Sequence, residues 1–232
     1  MNPASPALKK IQLVVGFDQR EAVAYHTFCQ SVIDRCSRPV SITPLALQNI
    51  GSYTETHTDG SNSFIYSRFL TPWLMGFTGW AVFADGDMIC REDLAALWAL
   101  RDPAKAVMVV QHDYKTKAHG KYLGNKNEDY PRKNWSSVIL WNCGHAKHKI
   151  LLPEFVMKQT GAYLHRFSWL EDQDIGELPK EWNWLTTEYE DNYQAKLLHY
   201  TLGTPCFKDY ANANMADLWH ESHARVNQGM GA

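Results

Sequence analysis

The sequence predicts one α/β domain, a mostly parallel central sheet flanked by helices. Three observations carry this expectation: short β-branched apolar runs recur along the chain, helical stretches with one apolar face separate them, and two carboxylates stand where one run ends. A length of 232 residues suits a single domain of this kind. With 45% hydrophobic and 12% aromatic residues there is ample side chain to fill a core.

Ile11 to Phe17 (IQLVVGF) reads as a first strand buried on both faces. Ala22, Tyr25, Cys29, Val32 and Ile33 then recur at helical spacing, and Val40 to Pro44 resumes as a second strand. Gln48 to Ser63, rich in Asn, Gly, Ser and Thr, reads as a surface loop. Phe64 to Leu74 reads as a helix carrying Arg68. Trp80 to Ala84 (WAVFA) is a buried strand, followed by Asp85-Gly86-Asp87 and an amphipathic helix from Arg91 to Leu100. Ala106 to Gln111 is another strand. The polar stretch from His112 to Asn134 holds Lys115, Lys117, Lys121, Lys126, Arg132 and Lys133, and long loops of this kind serve as lids or binding loops as often as plain surface excursions. Ser136 to Asn142 resumes the sheet, Leu151 to Thr160 reads as a helix, and Leu197 to Tyr200 as a last short strand. From about residue 206 the chain reads as a peripheral tail.

A formal charge of −2 supplies no basic field for a phosphodiester backbone, so nucleic acid is not expected as a partner. The five cysteines, Cys29, Cys36, Cys90, Cys143 and Cys206, are scattered, odd in number and without a C-x-x-C pair, which fits a reducing compartment. The first ten residues, MNPASPALKK, lack the apolar core expected of a signal peptide, and no apolar run approaches the roughly 20 residues needed to span a bilayer. The expectation is a cytoplasmic protein, with peripheral contact to a membrane surface left open.

Asp85 and Asp87 are two positions apart at a strand end, so an extended backbone points both carboxylates to one side, where they can hold a divalent cation. The intervening Gly86 leaves the backbone free to turn. A second such triplet, Asp172-Gln173-Asp174, occurs, and on spacing alone either one reads more readily as a turn or helix cap. His220-Glu221-Ser222-His223 is one residue short of a zinc H-E-x-x-H motif and reads as polar tail.

The run YSRFLTPWLMGFTGWAVFADGDMICREDLAALW, Tyr66 to Trp98, resembles the family 8 glycosyltransferases. SSVILWN at Ser136 to Asn142, EDQDIGELPKEWNWL at Glu171 to Leu185 and LLHYTLGTP at Leu197 to Pro205 are similar to later blocks of that family, in the same order. The resemblance implies a GT-A, Rossmann-like fold and the transfer of a hexosyl group from a nucleotide-sugar, a UDP-sugar above all, with retained configuration. It implies that Asp85, Asp87 and His199 bind manganese, or alternatively magnesium. Phe17, Asp18, Arg68, Asp85, Gly86, Gly203 and Lys208 would contact the donor, and Asp172, Gln173 and Asp174 would form an acidic loop beside the anomeric carbon. Two departures stand out. Ser136-Ser137-Val138 replaces the family's Asn-small-Gly, and Thr204-Pro205-Cys206 replaces its Lys-Pro-Trp, leaving Lys208 or a lysine of the 115 to 133 loop to grip the diphosphate. The rival readings are a sugar nucleotidyltransferase and a non-catalytic nucleotide-sugar- or carbohydrate-binding module. Acceptor and oligomeric state are open at this point.

Overall fold

The computed structural model describes residues 10–117, 120–124, 127 and 129–228; Lys126 lies outside them. β1 (Ile11–Phe17) leads into α1 (Ala22–Ile33) and returns as β2 (Val40–Ala46), a parallel neighbour of β1. A 3-10 turn (Ser67–Leu70) runs into α2 (Thr71–Leu74), which precedes β3 (Trp80–Ala84) and β4 (Met88–Cys90). Then follow α3 (Leu94–Ala99), β5 (Val107–Val109), β6 (Val138–Asn142), α4 (Pro153–Val156), α5 (Gly161–His165), β7 (Ile175–Glu177), β8 (Trp184–Leu185), β9 (Leu197–His199) and α6 (Ala216–Val226).

The main sheet has six strands in the order β2-β1-β3-β6-β5-β7. All run in one direction except β6, which is antiparallel to both neighbours. The period of two explains why its central strands are apolar on both faces. Val14, Ala81, Phe83, Val107, Ile139 and Trp141 feed the core on one face, while Leu13, Val15, Val82, Met108, Val138 and Leu140 feed the core on the other. α1 and α3 cover the second face with Phe28, Val32, Leu94 and Leu97; α4 and α5 cover the first with Val156 and Leu164. The arrangement is the α/β architecture expected from the sequence.

A smaller sheet, β4-β9-β8, stands at the carboxyl edge of the large one. Two of its strands, β4 and β8, together with β7, carry no sequence signal long enough to distinguish them from loop. Two expected helices are shorter than their apolar spacing suggests. Pro72 and Pro153 each sit in a first helical turn, where a missing N–H does no harm, and so mark where α2 and α4 begin. The peripheral tail expected from about residue 206 is corrected: α6 packs on α1, and its Trp219 is buried beside Ile89, Leu198, Tyr200 and Met215. The apolar members of α6 are few but lie on one face, which a composition reading averages away. Among the described residues, no helix is long and apolar enough to cross a membrane.

Candidate metal centre and donor cleft

The main sheet delivers Asp85. Its N–H continues the β3–β6 pairing by donating to the Ser137 carbonyl at 3.0 Å. Gly86 then passes so close to β1 that a Cβ there would lie 2.5 Å from the Gly16 carbonyl oxygen, a contact no side-chain-bearing residue tolerates. Asp87 opens the small sheet: Tyr200 N–H donates to its carbonyl at 3.0 Å, and the β4–β9 register pairs Met88 with His199. Two sheets thereby bring residues more than a hundred positions apart to one point. Asp85, Asp87 and His199 are 7%, 8% and 2% exposed, and each offers a ligand atom within 4.8 Å of the others.

The shell around them is built of long-range contacts. Arg68 forms an ion pair with Asp85 Oδ1 at 2.8 Å, donates to the Ser136 carbonyl at 2.9 Å and to the Ile65 carbonyl at 3.1 Å, and lies between the Phe64 and Phe83 rings. His199 Nε2 is 3.4 Å from Asp87 Oδ1. Its Nδ1 is 3.1 Å from Asn183 Oδ1, while the Asn183 amide nitrogen donates to Ser137 Oγ at 2.8 Å. Because the Ser137 hydroxyl itself donates to the Asn134 carbonyl at 2.7 Å, it accepts from Asn183, and this fixes which end of the amide is the oxygen. In its neutral form His199 therefore carries its proton on Nδ1, which frees Nε2 as a ligand.

Burial pushes the Asp85 carboxyl up to about 6, with Arg68 opposing it. At Asp87 burial acts in the same sense, but the pull of a protonated His199, and then of Lys121, holds the carboxyl below its usual range. Asp87 Oδ1 is buried and accepts no hydrogen bond. Two hard carboxylates and one imidazole around such an atom fit a divalent cation of the manganese or magnesium type.

Three contributors escape sequence reasoning. Asn183 stands inside the quoted Trp-Asn block but has no periodic signature. Glu21, buried at the turn after β1, is pushed up to about 8 by burial and by Asp87, and accepts a hydrogen bond from the Tyr122 hydroxyl at 2.9 Å. Lys121 was one of six basic residues in its loop. Its Nζ donates to Thr201 Oγ1 at 3.2 Å, and burial pulls its amine down while Asp87 and Asp85 oppose. Tyr122 ties this segment to the body: its N–H donates to the Leu202 carbonyl at 2.8 Å, and its ring stacks on Phe207 at 5.0 Å.

Asp85, Asp87 and His199 line a cleft of about 70 Å³, beside a cavity of about 730 Å³; Ser61, Ile65, Lys121, Tyr130 and His165 line both. The remaining predicted residues are placed as follows. Phe17 packs edge-on against Tyr25, and Asp18 is fully engaged by Arg20 and by the N–H and hydroxyl of Ser63. Gly203 adopts a φ of +155°, and a Cβ there would strike the Tyr210 ring. Lys208 is exposed and lines neither cavity.

Asp172, Gln173 and Asp174 line neither cavity. They form a 3-10 turn closed by a capping box, with Asp174 also bonded to Lys147 at 2.6 Å. Asp172 is 92% exposed and pairs with Arg132, which in turn donates to the carbonyl of Arg166, a residue lining the larger cavity.

Across 98% of its length the chain is 44% identical to protein CDI of Arabidopsis thaliana, 91% of which it covers. No protein-family model matches it. Its fold is similar to that of the bifunctional glycosyltransferase WbbM (TM-score 0.62, 17% identity, 99% of this chain and 52% of that one). It is also similar to the glycosyltransferase GlyE of Streptococcus pneumoniae TIGR4 (TM-score 0.63, 14% identity, 94% and 62%). A third likeness is to the galactosyltransferase LgtC, solved with donor and acceptor sugar analogues (TM-score 0.58, 14% identity, 93% and 96%). The chain thus spans about half of WbbM and under two thirds of GlyE, and its fold is that of the GT-A glycosyltransferases.

Proposed function

Starting from a chain that belongs to the family of Arabidopsis thaliana protein CDI and has the GT-A fold, we propose that it is a metal-dependent hexosyltransferase of the family 8 type using a UDP-sugar. The observation that carries the proposal is the buried meeting of Asp85, Asp87 and His199 at the carboxyl edge of the sheet, with Asp87 Oδ1 lacking a hydrogen bond. In open α/β sheets ligands bind at that edge.

When bound, manganese or magnesium supplies Lewis-acid stabilisation of the charge that builds on the diphosphate. In the transfer, the anomeric carbon–oxygen bond breaks with its electron pair leaving on the diphosphate. The acceptor hydroxyl oxygen forms the new bond, and its proton passes to the departing diphosphate. The chain's own residues hold these parts in place. Asn183 keeps His199 turned with Nε2 toward Asp87, and Arg68 keeps the Asp85 carboxylate aimed. Asp18 and Ser63 fix the turn after β1, where the nucleotide end would lie, Gly86 lets the metal-site turn pass against the Gly16 carbonyl, and Gly203 leaves space for the Tyr210 ring.

The test is slow donor hydrolysis. The protein is incubated with a panel of UDP- and GDP-sugars and manganese, with chelator and Asp87→Ala as controls. The expected result is chelator-sensitive release of UDP that the variant lacks. Binding without release overturns it in favour of an inert module, and consumption of a sugar 1-phosphate with a nucleoside triphosphate in favour of a nucleotidyltransferase.

A further inference from the structure

We propose that Lys121 is the cation that receives the diphosphate of the nucleotide-sugar, an inference that rests on the cleft being a donor site. The argument begins with charge. Two ionised ligands, Asp85 and Asp87, cancel one divalent cation, so a diphosphate entering the cleft still needs positive charge from the chain. The two strongly basic residues lining the cleft among the described residues are Arg68 and Lys121. Arg68 is already spent on Asp85 and on the carbonyls of Ser136 and Ile65. Among the described residues Lys121 forms no ion pair within 4 Å; its amine donates to one neutral hydroxyl, that of Thr201, and an ammonium has three donors.

Position agrees with charge. Lys121 lines both the metal cleft and the larger cavity, so its amine stands at the passage between the carboxylates and the room where a sugar fits. It does not dangle there. The next residue, Tyr122, is tied through its N–H to Leu202, through its hydroxyl to Glu21 and through its ring to Phe207. These contacts fix the lysine's backbone to the strand-end segment that follows His199. Lys208, the alternative grip on the C-terminal segment, is exposed and outside the lining of both cavities.

The experiment is calorimetric titration of the full chain, in manganese, with UDP and with uridine, for the wild type, Lys121→Met, Lys121→Arg and Lys208→Met. The expected result is that Lys121→Met weakens UDP about tenfold, leaves uridine and manganese binding unchanged, and that Lys121→Arg restores most of the loss. Parallel loss of UDP and uridine marks a structural role and overturns the proposal. So does unchanged UDP affinity, or a loss seen with Lys208→Met instead. If the wild type itself binds no UDP in manganese, the donor-site reading falls first and this one with it.

Discussion

The Nδ1 of His199 lies 3.1 Å from the Oδ1 of Asn183, an amide whose nitrogen is already committed to Ser137. Such an outer partner sets both the tautomer and the ring orientation of a ligating histidine, and losing it costs roughly 10–100-fold in metal affinity. Asn183→Leu is accordingly expected to weaken manganese binding by that order. Titration of the bound ion by electron paramagnetic resonance checks it, and a variant with wild-type affinity would refute the role assigned to Asn183.

Arg68 is buried against Asp85, so removing its charge strands a carboxylate away from water. Breaking a buried pair from one side costs about 3–5 kcal/mol. Arg68→Met should show a loss of that size in urea unfolding without metal. Manganese should recover part of it, since a bound cation compensates the same carboxylate.

The Glu21 carboxyl is pushed up to about 8, above the usual 4.5 or so, chiefly by burial and then by Asp87. A raised folded-state pKa means that its stabilising share is whole below about pH 4.5 and drains away as pH climbs toward 8. Glu21→Gln keeps an oxygen for the Tyr122 hydroxyl and cannot ionise. With chelator present, its melting temperature should match the wild type near pH 4.5 and exceed it by a few °C at pH 8 to 9. Coincident pH profiles would contradict the assignment.

Gly86→Ala places a methyl carbon 2.5 Å from the Gly16 carbonyl oxygen, so β1 or the Asp85–Asp87 turn must shift. Overpacking against backbone costs about 1–3 kcal/mol. The variant should fold with a lower melting temperature and lose manganese affinity, both measurable in one thermal series with and without the ion.

Glu188 holds the polar loop from inside, accepting from Asn127 Nδ2 at 2.8 Å and from the Lys117 N–H at 2.7 Å. Glu188→Ala should expose the loop's lysines to limited trypsin digestion several-fold faster than in the wild type. Equal cleavage rates would mean that other contacts keep the loop down.

The elements that the sequence announces are those whose signal is periodic. β1, β3 and β6 are apolar on both faces because both faces are covered, and this reads directly from IQLVVGF, WAVFA and VILWN. Asp85, Asp87 and His199 are legible only through their ordered blocks, since a D-x-D alone recurs at 172–174 as a helix cap. What escapes is the polar shell. Arg68, expected from its block as a donor contact, pairs instead with a carboxylate 17 positions on, and Asn183 meets a histidine 16 positions on; neither distance follows a helical or strand repeat. Short strands such as β4 and β8 escape as well, because three or two residues hold no periodicity to detect.

The pairing of Met88 with His199 makes the proposed cation site a gauge of alignment. Were β9 to slide by a single residue against β4, the imidazole would swing to the opposite face of the small sheet and the ion would lose a ligand. Metal affinity would then report whether the last third of the polypeptide has docked in the correct register, something that neither the six-stranded sheet nor its two cores can disclose by themselves.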